Sequence, residues 1–241
     1  MDLQCRGKTF LVMACSQGLG KAVAQAISEE GGRVLGTSRR PGQDLVLDTQ
    51  SQASRSDFLL HIRGERLSGI FVNTGGPKPG DVLALSNQDW RDAFEQLLLG
   101  PIHLVRDLVG QVERGGSILF NASSSVRDPI AHLALSNVLR AGVYAVVKTL
   151  ADELSPYRIR VNVIVPGRIA TDRVQQFDEN LAASLRTRAE DIRRQSEEAI
   201  PLGRYGQPEE FGRLAAFLLS PQASYLNGQA YWVDGGYSRS L

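Results

Sequence analysis

Thr9-Phe10-Leu11-Val12-Met13-Ala14-Cys15-Ser16-Gln17-Gly18-Leu19-Gly20-Lys21 begins as an apolar run and turns through glycines into an Ala-rich stretch. A short apolar run bounded by turn residues suits a strand buried on both faces. The following pattern, Lys21 to Glu30, is helical and stops at Gly31-Gly32. Strand, glycine turn and helix N-terminus in this order leave bare backbone N–H groups at the positive end of a helix dipole. That point favours an anion such as a pyrophosphate. Arg6 and Lys8 precede the run, as in a secretory leader, but the run is short and no small-residue cleavage site follows. It is read as a first strand, and the protein is placed in the cytoplasm.

The alternation continues along the chain. Strands are expected at Arg33 to Thr37, Asp44 to Leu47, Gly69 to Val72, Ser117 to Asn121, Arg160 to Val165 and Ala230 to Val233. Helices are expected at Gln88 to about Val112, Ser136 to Glu153 and Glu209 to Leu219. Repeated β-then-α units with apolar strands predict a parallel, doubly wound α/β sheet covered on both faces. No linker or solenoid repeat divides the chain, so one domain is expected over 1–241. The polar stretch from Asp172 to Ala199 reads as a solvated helix pair or as a lid over a pocket, at about 172–200.

The composition narrows the function classes. With 27 Lys+Arg against 26 Asp+Glu the net charge is +1, which argues against a nucleic-acid binder working through a basic field. No apolar run reaches the ~18 residues of a membrane span. Two cysteines, Cys5 and Cys15, cannot form a disulfide framework or a zinc cluster, and no metal site is expected.

Open parallel sheets bind ligands at the carboxyl ends of their strands. The second strand ends in Thr37-Ser38-Arg39-Arg40. An NAD binder places an acidic residue near this point for the ribose 2′-hydroxyl. Here arginines follow, and guanidinium groups suit a 2′-phosphate. NADP(H) is therefore preferred over NAD(H).

Further elements carry a resemblance. They are Gly18-Leu19-Gly20, Asp48, Asn73-Thr74-Gly75-Gly76, Val165-Pro166-Gly167-Arg168-Ile169-Ala170-Thr171-Asp172, Ile200-Pro201-Leu202-Gly203-Arg204, Gly206-Gln207-Pro208-Glu209-Glu210, Asn227-Gly228-Gln229 and Val233-Asp234-Gly235-Gly236. In this order, over nearly the whole chain, they resemble the short-chain dehydrogenase/reductase family, above all its 3-oxoacyl-acyl-carrier-protein reductase-like branch. The resemblance implies a single-domain Rossmann fold and an NADP(H)-dependent carbonyl reductase or alcohol dehydrogenase acting on a small-molecule or acyl carbonyl. It implies cofactor contacts from Ala14, Ser16, Gly18, Leu19, Gly20, Ser38, Arg39, Asp48, Asn73, Gly75, Arg140, Pro166, Gly167 and Ile169. It also implies a homotetramer or homodimer built through the two long helices and the C-terminal strand, with neither nucleic acid nor membrane as partner.

The family's catalytic set is Asn, Ser, Tyr and Lys, and the chain departs from it. Tyr144-Ala145-Val146-Val147-Lys148 has the Tyr-x-x-x-Lys spacing but the wrong register. Relatives follow the motif Lys with Ala-Gly, and here Ala141-Gly142 follows Arg140. Ser123 precedes Ser136 by the family's 13 positions and Tyr144 by 21. Eight helical residues rise about 12 Å, too far for substitution. The four positions therefore read Leu97, Ser123 (with Ser124 one place away as a fallback), Ser136 and Arg140, and Ala14 replaces the first loop glycine. A serine hydroxyl is a far weaker acid than a phenol, and an arginine does not release a proton at working pH. His132, in the loop before Ser136, is the candidate substitute acid; its plainer reading is a loop histidine bonded to backbone. The alternative function is a dinucleotide-binding protein without redox turnover, a sensor or assembly partner.

Overall fold

A computed structural model describes residues 2–39, 42 and 45–239. The elements are β1 (Thr9–Val12), α1 (Gly18–Glu29), β2 (Arg33–Ser38), β3 (Leu45–Val46), α2 (Gln52–His61), β4 (Leu67–Val72), α3 (Asn87–Phe94), α4 (Gly100–Leu108), β5 (Val112–Asn121), α5 (Ala134–Glu153), β6 (Arg160–Pro166), α6 (Asp172–Leu185), α7 (Ala189–Ala199), α8 (Pro208–Leu219) and β7 (Ala230–Val233). The strands form one sheet in the order β3-β2-β1-β4-β5-β6-β7, parallel throughout. The chain winds outward from β1 to β3, then crosses back to β4 on the other side of β1. That reversal opens the ligand crevice at the carboxyl ends of β1 and β4.

Successive residues of a strand point to opposite faces, and this divides the core. Leu11, Ile70, Val72, Ile118, Phe120, Val161 and Val163 pack beneath α2, α4 and α5. Phe10, Val12, Phe71, Leu119 and Ile164 pack against α1 and α8. Double coverage explains why the strands read as continuous apolar runs.

Three expectations need correction. The helix expected from Gln88 to Val112 is broken by a π turn at Glu95–Leu99. Pro101 has no N–H to give the Leu97 carbonyl, and the backbone widens there. Val112 starts β5, which runs through the polar Glu113-Arg114-Gly115-Gly116 before its apolar part. The helix α2 was not foreseen, because only Arg55 and Phe58 of it are buried. Its one sequence cue is Ser51, whose side chain accepts from the Ser54 amide as an N-cap. The expected third strand keeps Leu45 and Val46; Asp44, like Arg40, lies outside the described residues.

The stretch 172–200 forms two helices, and α6 is latched to the sheet. Asp178, 4% exposed, accepts from Arg168, just past β6, and from the Tyr205 hydroxyl at 2.8 Å. Arg168 stacks on Phe177 at 5.0 Å. Among the described residues no helix is long and apolar enough to cross a membrane. Among them, too, no three His, Cys, Asp or Glu side chains gather as a metal site.

Candidate active site

The glycine loop after β1 is tied to both neighbouring strands. The Met13 amide donates to the Phe71 carbonyl at 3.1 Å and the Cys15 amide to the Thr37 carbonyl at 2.9 Å. Ala14 sits at φ +51°, a left-handed conformation that normally favours glycine. Gly18, at φ +55°, opens α1. A side chain on Gly20 would collide with the Ala14 carbonyl, so the helix start stays bare. No side chain caps α1, so its first amides are free for an anion. Ser16 is exposed beside them and Leu19 half-buried.

Next to this loop, Ala14, Ser38, Arg39, Asp48, Asn73 and Gln96 line one cavity. Ser38 is buried at the end of β2 and Arg39 is exposed. The Asp48 carboxylate accepts from the Gln50 amide at 3.0 Å. Asn73 accepts from the Asn121 side-chain amide at 3.1 Å, joining the ends of β4 and β5. Pro166 ends β6, and the Gly167 amide bonds to the Val233 carbonyl at 2.9 Å. Ile169 is buried and bridges to Gly206.

On α5, Ser136 and Arg140 stand one turn apart on the same face. Arg140 is 5% exposed. Its guanidinium donates to the Asn121 carbonyl and, at 2.6 Å, to the Gly75 carbonyl. It thus bridges the ends of β5 and the β4 loop, while its Nε has no partner. Burial, with help from the nearby Arg173 cation, pulls the group down to about 10. The Ser136 hydroxyl lies 3.4 Å from that of Ser125, and either can donate. Ser123 instead turns its hydroxyl onto the Ser125 amide at 3.2 Å. Leu97, 2% exposed, packs with Leu135 and Leu139.

His132 is at φ +60°, its ring 3.1 Å from the Asp81 carboxylate and without a hydrogen bond to Ser136 or Arg140. The partner is therefore a side chain rather than backbone. Tyr144 turns toward the core beneath α5. Its hydroxyl is buried without a partner, and burial raises the phenol to about 12, Arg127 opposing. Lys148 is exposed near Gly228. Sequence reasoning missed Ser125, Gln96 and Arg173. Gln96 donates to the Thr74 carbonyl at 3.0 Å. Its position inside the π turn gave no periodicity to read.

The residues present fit a dinucleotide. The start of α1 is bare, Gly20 leaves room there for the Ala14 carbonyl, and the Arg140 Nε and the Asn121 Oδ1, on residues joined at the end of β5, are buried without a partner.

Comparison with known proteins agrees with this geometry. A family model described as enoyl-(acyl carrier protein) reductase matches residues 13–238. The NADPH-dependent reductase BacG of Bacillus subtilis is 27% identical over 97% of this chain and 99% of its own. A 3-oxoacyl-[acyl-carrier-protein] reductase, FabG, of Vibrio cholerae is 27% identical over 97% and 98%. Among solved structures, L-sorbose reductase from Gluconobacter frateurii, complexed with NADPH and L-sorbose, superposes with a TM-score of 0.93, at 25% identity over all of both chains. Fold, strand-end crevice and matched motifs together place this chain in the short-chain dehydrogenase/reductase family of oxidoreductases.

Proposed function

We propose that the chain is an NADP(H)-dependent carbonyl reductase or alcohol dehydrogenase, similar to the 3-oxoacyl-carrier-protein reductases, with a non-standard catalytic set. The observation that carries this reading is the seating of Arg140. A buried guanidinium holds the ends of β4 and β5 where the family uses a lysine, and a pair of serine hydroxyls stands one turn away. Ser38 and Arg39 take the 2′-phosphate, since no carboxylate ends β2. The bound dinucleotide supplies hydride chemistry. Arg140 orients the nicotinamide ribose and keeps the strand ends in place.

Ser136 and Ser125 hold the substrate oxygen. A hydroxyl both donates and accepts, so each can pass a proton on as it receives one from water. Ser123, half-buried at the start of the same turn, is the further hydroxyl in reach of a substrate. His132 is the substitute acid at the rim, its ring held by the Asp81 carboxylate. The helix pair α6–α7 forms the lid over a small-molecule or acyl carbonyl. Phe94 and Val138, 43% and 53% exposed on α3 and α5, support self-association as a homodimer or homotetramer. The relatives that use NADPH support the cofactor choice.

Titration of tryptophan fluorescence with NADPH, followed by NADPH oxidation with a panel of ketones and 3-oxoacyl esters, tests the reading. Binding with turnover of at least one carbonyl is expected. Binding without turnover on any of them favours the second reading, a dinucleotide-binding protein without redox chemistry. That reading is favoured by one observation: among the described residues no phenol hydrogen-bonds beside Arg140, whose partners are the Asn121 and Gly75 carbonyls.

A further inference from the structure

A second cation faces Arg140 across the cleft. Arg173 lies in the first turn of α6, whose N-cap is Thr171. Thr171 lies against the dinucleotide loop, since a Cβ on Gly18 would stand 3.7 Å from its Cγ2. Arg173 is exposed overall, but its guanidinium lies on Gly76, where any side chain would collide with it. Gly76 follows Gly75, the carbonyl partner of Arg140. Two guanidiniums therefore share the carboxyl ends of β4 and β5. Among the described residues no carboxylate is within ion-pair distance of either. In the same helix pair Arg188, Arg193 and Arg194 each have a carboxylate partner, and Arg173, unlike them, lies on the β4 loop. Burial lowers the Arg173 guanidinium as well. Like charges held together in a partly desolvated cleft are unfavourable until an anion joins them.

We propose that Arg173 is a lid-borne ligand of the dinucleotide's diphosphate, closing over the anion that the N-terminus of α1 cradles from below. This rests on the reading that the chain binds NADP(H). The contact of Thr171 with Gly18 selects the diphosphate over an anionic group on the substrate, because it sets the first turn of α6 above the bare amides of α1. The lid and the cofactor are thereby linked through one side chain.

Equilibrium binding to three ligands tests this without any turnover. NADPH and 2′-phospho-ADP-ribose carry the diphosphate, and adenosine 2′-monophosphate keeps the adenosine end with no phosphate at the 5′ position. Arg173→Gln is expected to weaken the first two by about 10- to 100-fold, the loss of a charge-assisted contact, and adenosine 2′-monophosphate by less than about twofold. Arg173→Lys is expected to recover part of the loss, with far-UV circular dichroism unchanged in both variants. Unchanged affinity for 2′-phospho-ADP-ribose in Arg173→Gln would overturn the inference, as would equal weakening of all three ligands. Wild-type protein that binds the ligands while the variant matches it removes only this inference. Wild-type protein that binds none of them removes the cofactor reading beneath it too.

Discussion

Arg140→Ala separates a structural cation from a dispensable one. The substitution takes the donors from two carbonyls, those of Asn121 and Gly75, at a position 5% exposed. A buried acceptor left without a partner costs about 1–3 kcal/mol. The Asn121 carbonyl is buried, whereas Gly75 is exposed and its carbonyl turns to water, so the range is about 1–3 kcal/mol. Two effects pull toward the lower end. Water can enter the space that the side chain vacates, and the variant no longer carries a buried cation without a counter-charge. A net loss of about 1–2 kcal/mol is expected. For a domain of this size, about 2–4 °C per kcal/mol gives a midpoint lowered by about 2–8 °C. Arg140→Lys keeps the charge and reaches one carbonyl, so about half the loss is expected. Thermal unfolding followed by circular dichroism, with NADPH affinity measured alongside, checks both variants. An Arg140→Ala protein with wild-type midpoint and wild-type affinity would refute the reasoning.

Two further outcomes are expected. Asp178→Ala strands Arg168 and the Tyr205 hydroxyl under α6; with Arg168 a quarter exposed, a loss of about 2–3 kcal/mol is expected, below the usual cost of breaking a fully buried pair. Limited proteolysis should then cut faster within 172–200, and an unchanged cleavage rate would contradict the latch. Asp89 accepts from Lys78 and from the Ser86 amide and hydroxyl, holding its carboxyl down at about 2 from an ordinary 3.8. A lowered carboxyl contributes stability above pH 4 and loses it as pH falls through about 2. Asp89→Asn should flatten the stability profile between pH 4 and 2, and an unaltered profile would show the cap to be inert.

The sheet was legible because both its faces are covered, which makes its strands apolar without interruption, as in Phe10 to Val12 and Ile70 to Val72. The dinucleotide loop was legible because glycine is forced there by close approach at Gly20. What escaped has local causes as well as tertiary ones. The helix α2 buries too little to show a period, and the π turn at Glu95–Leu99 follows from a proline two residues beyond it. Within the site, the spacing of Ser123 from Ser136 says nothing of which hydroxyl turns inward, and the fold pairs Ser125 with Ser136. Arg173 looked like one more charge on a polar helix. Only the meeting of α6 with the β4 loop makes it part of the crevice. The two tyrosine-register alternatives differ in side-chain direction: Arg140 reaches the strand ends, and Tyr144 points into the core.

The central claim is that residues 136 and 140, and not 144 and 148, serve the site, Ser136 at the reacting carbonyl and Arg140 at the nicotinamide ribose. Steady-state NADPH oxidation by Tyr144→Phe and Ser136→Ala, measured side by side on the best ketone or 3-oxoacyl ester, tests it most directly. Removing a buried hydroxyl that has no partner should leave Tyr144→Phe at wild-type turnover, while Ser136→Ala loses about 10- to 100-fold in kcat, as for a lost hydrogen bond to the reacting oxygen. Lost turnover in Tyr144→Phe with Ser136→Ala at full activity would contradict the account.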